Sequence, residues 1–223
     1  MNAGFANLTT LKQQLLAPEL QTRNDWDNLL QVIGLGVAGS FGRYCNRDFD
    51  WKIGAQEVTQ GERDHWYVRR TPVSSFTKVE LRYFRADPWT DISGQPLAAD
   101  EHKGLIHFGY TLGRRPIQVR ITYNGGYFWE QLEPSTNGYP TPVPDDITNN
   151  PAGIDPSSFN LPNDLIFAWV TQCRKVWEAA DKIGSKITEV GSNTRNPSEA
   201  LAGLDLVPEV KEILNSYIRY QLT

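Results

Sequence analysis

The sequence predicts an α+β protein: an N-terminal helix pair, a small and mainly antiparallel β-sheet, a core helix and a detached C-terminal helix. Apolar residues recur at three- and four-residue spacing near both ends of the chain, whereas the middle consists of short β-rich runs fenced by Gly, Pro and Asp. A proline-rich stretch, Glu130–Asn160, then separates the sheet from the last two helical segments.

Leu8, Leu11, Leu15 and Leu16 sit at helical spacing until Pro18 interrupts, which predicts a helix over 8–16. A second helix is predicted over 25–45, with Trp26, Leu29, Leu30, Ile33, Val37, Phe41 and Tyr44 on one side. Strands follow within about 56–123: His65–Arg70, Ser74–Phe84 after Thr71-Pro72-Val73, Leu105–Tyr110 and Ile117–Tyr123. Phe76, Val79, Leu81 and Tyr83 alternate only in part, with Lys78, Glu80 and Arg82 opposite them, so one face of the sheet is expected to be wet.

The Glu130–Asn160 loop holds six of the fourteen prolines, plus many Asn, Ser, Thr and Asp. Loops beyond about 12–15 residues are uncommon in compact domains unless functional or linking. It therefore reads either as a linker or as an arm laid on a neighbouring subunit, since proline reduces the entropy lost on ordering. A helix over 162–183 follows, with Pro162 in the first turn, Asp164 complementing the positive helix end, and Leu165, Trp169, Cys173, Val176, Ala180 and Ile183 on one face up to Gly184. Residues 1–184 thus read as the core and 185–223 as a linker with a C-terminal helix.

Composition excludes several function classes. The chain has 223 residues, 39% of them apolar, enough for a real core. A net charge of -4 lacks the basic excess of a nucleic-acid-binding domain. Cys45 and Cys173 are far apart with no Cys-x-x-Cys or His partner, so neither a disulfide framework nor a zinc site is signalled and a reducing cytoplasm fits best. The sequence shows no secretory leader and no run of 18 apolar residues, so a soluble protein is expected and the Asn7-Leu8-Thr9 sequon carries no meaning.

Catalytic signals are thin. Gly34-Leu35-Gly36-Val37-Ala38-Gly39 formally matches the dinucleotide fingerprint, but Tyr44–Asp50 arrives before a helix and a second parallel strand have room to form. Read as helix, the glycines are small residues that admit a close neighbour. Cys173 lacks a base and reads as core. His65, His102 and His107 share no zinc spacing, and Asp87, Asp91 and Asp100 lack the EF-hand pattern. No cofactor is expected. The cluster Arg63, Arg69, Arg70, Lys78, Arg82 and Arg85, interleaved with aromatics, reads as a solvated face or subunit contact rather than a phosphate-facing patch. Two rivals stay open: a nucleotide-binding enzyme using Gly34–Gly39, and a small DNA-binding or regulatory module using the 63–85 patch.

The C-terminal segment carries an apolar stripe of Leu206, Val210, Ile213, Leu214, Tyr217 and Ile218 among charged residues. Burying such side chains stabilises by about 1.5–3 kcal/mol each, so the stripe must find either its own core or a partner's groove.

The order of Arg43-Tyr44-Cys45-Asn46-Arg47-Asp48-Phe49, Thr71-Pro72-Val73-Ser74-Ser75-Phe76-Thr77-Lys78-Val79, Val119-Arg120-Ile121-Thr122-Tyr123-Asn124-Gly125-Gly126-Tyr127, Leu161-Pro162-Asn163-Asp164-Leu165 and Leu206-Val207-Pro208-Glu209-Val210-Lys211-Glu212-Ile213-Leu214 resembles the head–tail connector, or adaptor, proteins of tailed double-stranded DNA phages and gene transfer agents. The resemblance spans nearly the whole chain. It implies a non-enzymatic virion protein of the neck, at the portal vertex and in the host cytoplasm during assembly. It further implies a homo-oligomeric ring, expected to be twelve-fold, between the portal protein and a stopper or tail-completion protein, with DNA passing through without specific binding and no membrane contact. On this reading Leu206, Val207, Val210, Ile213, Leu214, Tyr217 and Ile218 form the portal interface. Arg69, Arg70, Lys78, Arg82, Trp129 and Tyr139 are candidates for a subunit or tail interface. The chain departs from the usual pattern in its length, through Glu130–Asn160 and Asp87–Lys103.

Overall fold

A computed structural model of the chain describes residues 3–61, 64–94, 97–100, 103–108, 117–127, 160–189 and 205–219. They divide between two compact units, the first made of residues 3–46, 161–189 and 205–218, the second of the described residues from 47 to 127 with Asn160 and Arg219. The fold is mixed α+β, with helices in the first unit and antiparallel strands in the second.

In the first unit α1 (Leu8–Leu15) begins where the Asn7 side chain accepts a hydrogen bond from the Thr10 amide at 2.8 Å, satisfying an otherwise unpaired donor of the first turn. A short 3₁₀ turn at Pro18–Leu20 leads to α2 (Asp27–Cys45), which ends at Asn46 in the left-handed conformation, φ 51°. Helix α3 (Asn163–Glu189) runs through Gly184, past the end expected at 183. A single glycine costs a helix only about 1 kcal/mol and no proline follows it there. Its side chains at Ala180 and Ile183 lie outside the described residues. Helix α4 (Pro208–Asn215) completes the unit, starting on a proline suited to the first turn.

The four described helices pack against one another. Leu30, Ile33, Val37, Phe41 and Cys45 of α2 are buried with Leu165, Ala168, Trp169 and Cys173 of α3 and Val210 and Leu214 of α4. Phe5, preceding α1, packs edge-on against Phe41 with ring centroids 5.7 Å apart. The expected inner face of α2 is corrected at its start, because Trp26 and Leu29 are exposed. The helix carries apolar residues all round: Leu29, Val32 and Leu35 form an outward stripe opposite the buried one.

The second unit holds two antiparallel sheets. One has the order β1 (Lys52–Gly61), β7 (Ile117–Gly125), β3 (Val73–Arg82), β4 (Thr90–Asp91); the other has β2 (His65–Tyr67), β6 (Leu105–Phe108), β5 (Leu97–Asp100). Both contribute to a core of Ala55, Trp66, Val68, Val73, Val79, Leu81, Ile92, Ile106, Val119, Ile121 and Tyr123. The imperfect alternation in β3 has a structural cause. Phe76 lies opposite Tyr123 and Lys78 opposite Thr122, so Thr77 is an extra residue. That bulge shifts the parity and brings Phe76, Val79 and Leu81 to one face, while Tyr83 falls beyond the strand and is exposed.

Candidate interaction surfaces

Three of the segments that carried the family resemblance, those holding Arg47–Phe49, Thr71-Pro72 and Gly126-Tyr127, meet in the second unit. In the second unit the Gly126 amide donates to Pro72 O at 2.9 Å, the Tyr127 amide to Phe49 O at 2.8 Å and the Trp51 amide to Tyr127 O at 3.2 Å. Gly126 has φ +113°, and a Cβ there would stand 2.3 Å from Asp50 O. The Arg47 guanidinium lies 5.0 Å from the Phe49 ring and 5.6 Å from that of Tyr127, and also donates to Thr71 O and Oγ1. These residues hold three chain crossings together.

The glycine run falls inside α2, so no strand-to-helix turn exists to cradle a pyrophosphate. Its glycines are not equivalent. A Cβ on Gly34 would lie 1.9 Å from Ala3 O and 2.9 Å from the Trp169 ring, whereas one on Gly36 meets open space. Trp169 Nε1 donates to Gly34 O at 2.9 Å, adding a second acceptor role to that carbonyl. Close approach is thus the use of Gly34 alone. Cys173 is fully buried, and burial pushes its thiol pKa far up, away from a reactive thiolate.

The C-terminal stripe lands on its own unit. Leu206, Val210 and Leu214 are buried, while Val207, Ile213, Tyr217 and Ile218 are half-buried. Helix α4 packs on α3 and α2. Polar contacts clasp it at both ends. The buried Gln172 side chain accepts from the Val207 amide at 3.0 Å and donates to Asp205 O at 3.4 Å. Tyr44 Oη donates to Asn215 Oδ1 at 2.8 Å, and Tyr217 Oη to the Asp164 carboxylate at 2.8 Å. The helix is separate in sequence yet seated on α2 and α3. Its outward residues are Glu209, Lys211, Glu212 and Asn215.

The basic residues are largely paired. Arg70 binds Asp48 at 3.0 Å and Asp50 at 3.3 Å; burial alone would lower its pKa, but the two carboxylates outweigh it and raise the value. Arg69 reaches Asp48 at 3.6 Å. On the outer face of the four-stranded sheet, register places Glu80 opposite Arg120 and Arg82 opposite Gln118. Glu80 is 4% exposed, roofed by Lys78 Nζ at 2.8 Å and Arg120 Nη2 at 2.6 Å. Burial works to raise its pKa, but the hydrogen bonds from Lys78 and Arg120 and their charges prevail and hold it below the ordinary carboxylate value. The Trp89 ring takes the guanidinium of Arg82 at 4.4 Å and that of Arg120 at 4.5 Å. Arg82 also donates to Gln118 Oε1 at 2.8 Å and Arg85 O at 2.9 Å. Lys78 on this face is exposed and Arg82 and Arg120 are half-buried, while Glu80 alone is buried, beneath the long cationic side chains that cover it. Trp129, Tyr139 and Arg63 lie outside the described residues.

One grouping escaped the sequence. Pairing of β2 with β6 sets His65 opposite His107, with Asp64 beside them. Forty-odd residues separate the two histidines in sequence, and only strand register joins them.

No family model matches the chain, and no curated protein matches it either. Solved structures do. A chain from the neck of an empty gene transfer agent particle, computed with C6 symmetry, superposes with a TM-score of 0.55 at 12% identity, covering 100% of this chain and 95% of that one. A chain from the virion of a native gene transfer agent particle gives 0.54 at 12% identity, covering 97% and 90%. At that identity the likeness is one of fold, and it runs through both units from end to end. The chain has the fold of a gene transfer agent neck protein.

Proposed function

We propose that this chain is a structural virion protein of the neck, an adaptor that forms a ring between a portal and the tail or stopper of a phage-like particle and lets DNA pass. The full-length match in fold to a neck chain carries the reading. The internal chemistry supports it: glycines, aromatics and partly buried ion pairs are spent on holding segments together, and Arg70, Arg82 and Arg120 are engaged by neighbours rather than aimed at phosphates. A conduit for DNA works best when its walls do not bind the polyanion tightly.

In this proposal the portal contact is the C-terminal segment from Leu206 to Ile218. Leu206, Val210 and Leu214 anchor the helix, and its half-buried and outward residues, Val207, Ile213, Tyr217, Ile218 and Glu209–Glu212, meet the portal. The outward stripe of α2, Leu29, Val32 and Leu35, is the proposed subunit contact, because soluble domains seldom leave such a row of aliphatic residues uncovered on a helix. Arg69 and Lys78, each close to half exposed, are proposed as its polar margin or as a tail contact. Incubating the purified chain with the portal ring from the same source and imaging by negative stain tests the reading. A ring of added density, twelve-fold, at one end of the portal is the expected outcome, and absence of docking would sink the proposal.

A further inference from the structure

We propose that Asp64, His65 and His107 form a binding site for a zinc-class divalent cation that clips strand β2 to strand β6. One ligand atom from each residue lies within 4.8 Å of the others. The geometry behind that figure is specific. His65 and His107 are directly opposed in an antiparallel pair, the arrangement that brings side chains on one face closest together. Their rings stack with centroids 5.6 Å apart and planes inclined by 28°. Asp64 Oδ1 lies 2.6 Å from His65 Nδ1, and Tyr67 packs edge-on against the His65 ring at 6.0 Å.

Two imidazoles and one carboxylate are donors suited to zinc, cobalt, nickel or copper rather than to magnesium or calcium, which prefer oxygen. Bonds of about 2.0–2.2 Å in a tetrahedron set donors about 3.3–3.6 Å apart, so on binding the Asp64 Oδ1–His65 Nδ1 contact of 2.6 Å opens while separations of up to 4.8 Å close, both by side-chain rotation. All three residues are solvent-accessible, which leaves an entry path and a fourth position for water. Both cysteines are buried and do not compete. The consequence is mechanical. Strands β2 and β6 are three and four residues long, and an ion shared across them resists their separation. The proposal does not depend on the neck assignment.

The test is titration of the full chain, freed of any polyhistidine tag, with zinc by calorimetry and with cobalt by visible absorbance. One ion per chain is expected, together with a higher Tm in zinc. His107→Gln, an exposed and conservative change, should weaken binding at least tenfold, as should His65→Gln and Asp64→Asn, while His102→Gln leaves it unchanged. Circular dichroism of His107→Gln without metal should match the parent, separating lost ligation from lost fold. No binding, binding that survives His107→Gln, or an equal loss in His102→Gln would each overturn the proposal.

Discussion

Gly34 and Gly36 stand two positions apart in one helix and make opposite demands. Gly34 has backbone on its doorstep, since Ala3 O would be 1.9 Å from an added Cβ, so Gly34→Ala must displace either the N-terminal segment or α2. A loss of at least about 3 kcal/mol is expected, read as a lower Tm. Gly36→Ala meets open space and removes a helix penalty, so it should stabilise by about 0.5–1 kcal/mol, or about 1–4 °C. Equal effects of the two would contradict the packing described. Glu80 gives a prediction in pH. Its folded pKa is depressed, so its contribution is complete above the unfolded value near 4.5 and is lost as pH falls through the lower folded value. Glu80→Gln should therefore cost about 1–3 kcal/mol at pH 7 and flatten the acid limb of the stability profile below pH 4.5. A parallel downward shift of the whole profile would mean that the charge of Glu80 is not what matters.

At the scale of elements, α4 is the informative case. Its stripe required burial, and the first unit supplies it through α2 and α3, with Gln172 holding the incoming strand of chain. Leu214→Ala should cost about 2–5 kcal/mol and raise hydrogen exchange throughout Pro208–Asn215 more than in β7. Exchange unchanged in α4 would show the helix to be independent of its seat. Strand β3 makes the complementary point. Its alternation was legible, but the side on which Phe76 falls depended on the bulge at Thr77, which is a matter of pairing with β7 and not of composition.

For the whole molecule, function on the present proposal lies in surfaces rather than in a pocket. Val32→Asp places a charge in the outward stripe of α2, at a side chain 57% exposed, so the isolated fold should tolerate it. Ring assembly on the portal should fail, as read by mass photometry and negative-stain imaging. A variant that still forms the ring would move the subunit contact elsewhere. Reversing the outward charges of α4 through Glu209→Lys and Glu212→Lys should weaken portal docking while Tm changes by little, because exposed charges contribute little to folding.

The sequence by itself determined part of the local chemistry of this chain: that helices lie near both ends, one of them entered at Pro162, which faces need covering, and where β3, β6 and β7 run, though not β1. It also carried the order of segments by which the neck-type fold was recognisable. These are properties of a few neighbouring residues, set by hydrogen-bonding capacity, backbone freedom and apolar periodicity. Only the tertiary structure decided what covers α4, which glycine of Gly34–Gly39 is indispensable, how Glu80 disappears beneath Lys78 and Arg120, and that His65 faces His107. An apolar stripe states that water must be excluded but not by what, and a strand states that it must pair but not in which register. Those choices are made by contacts between residues tens of positions apart, where packing and strand alignment, rather than local propensity, set the outcome.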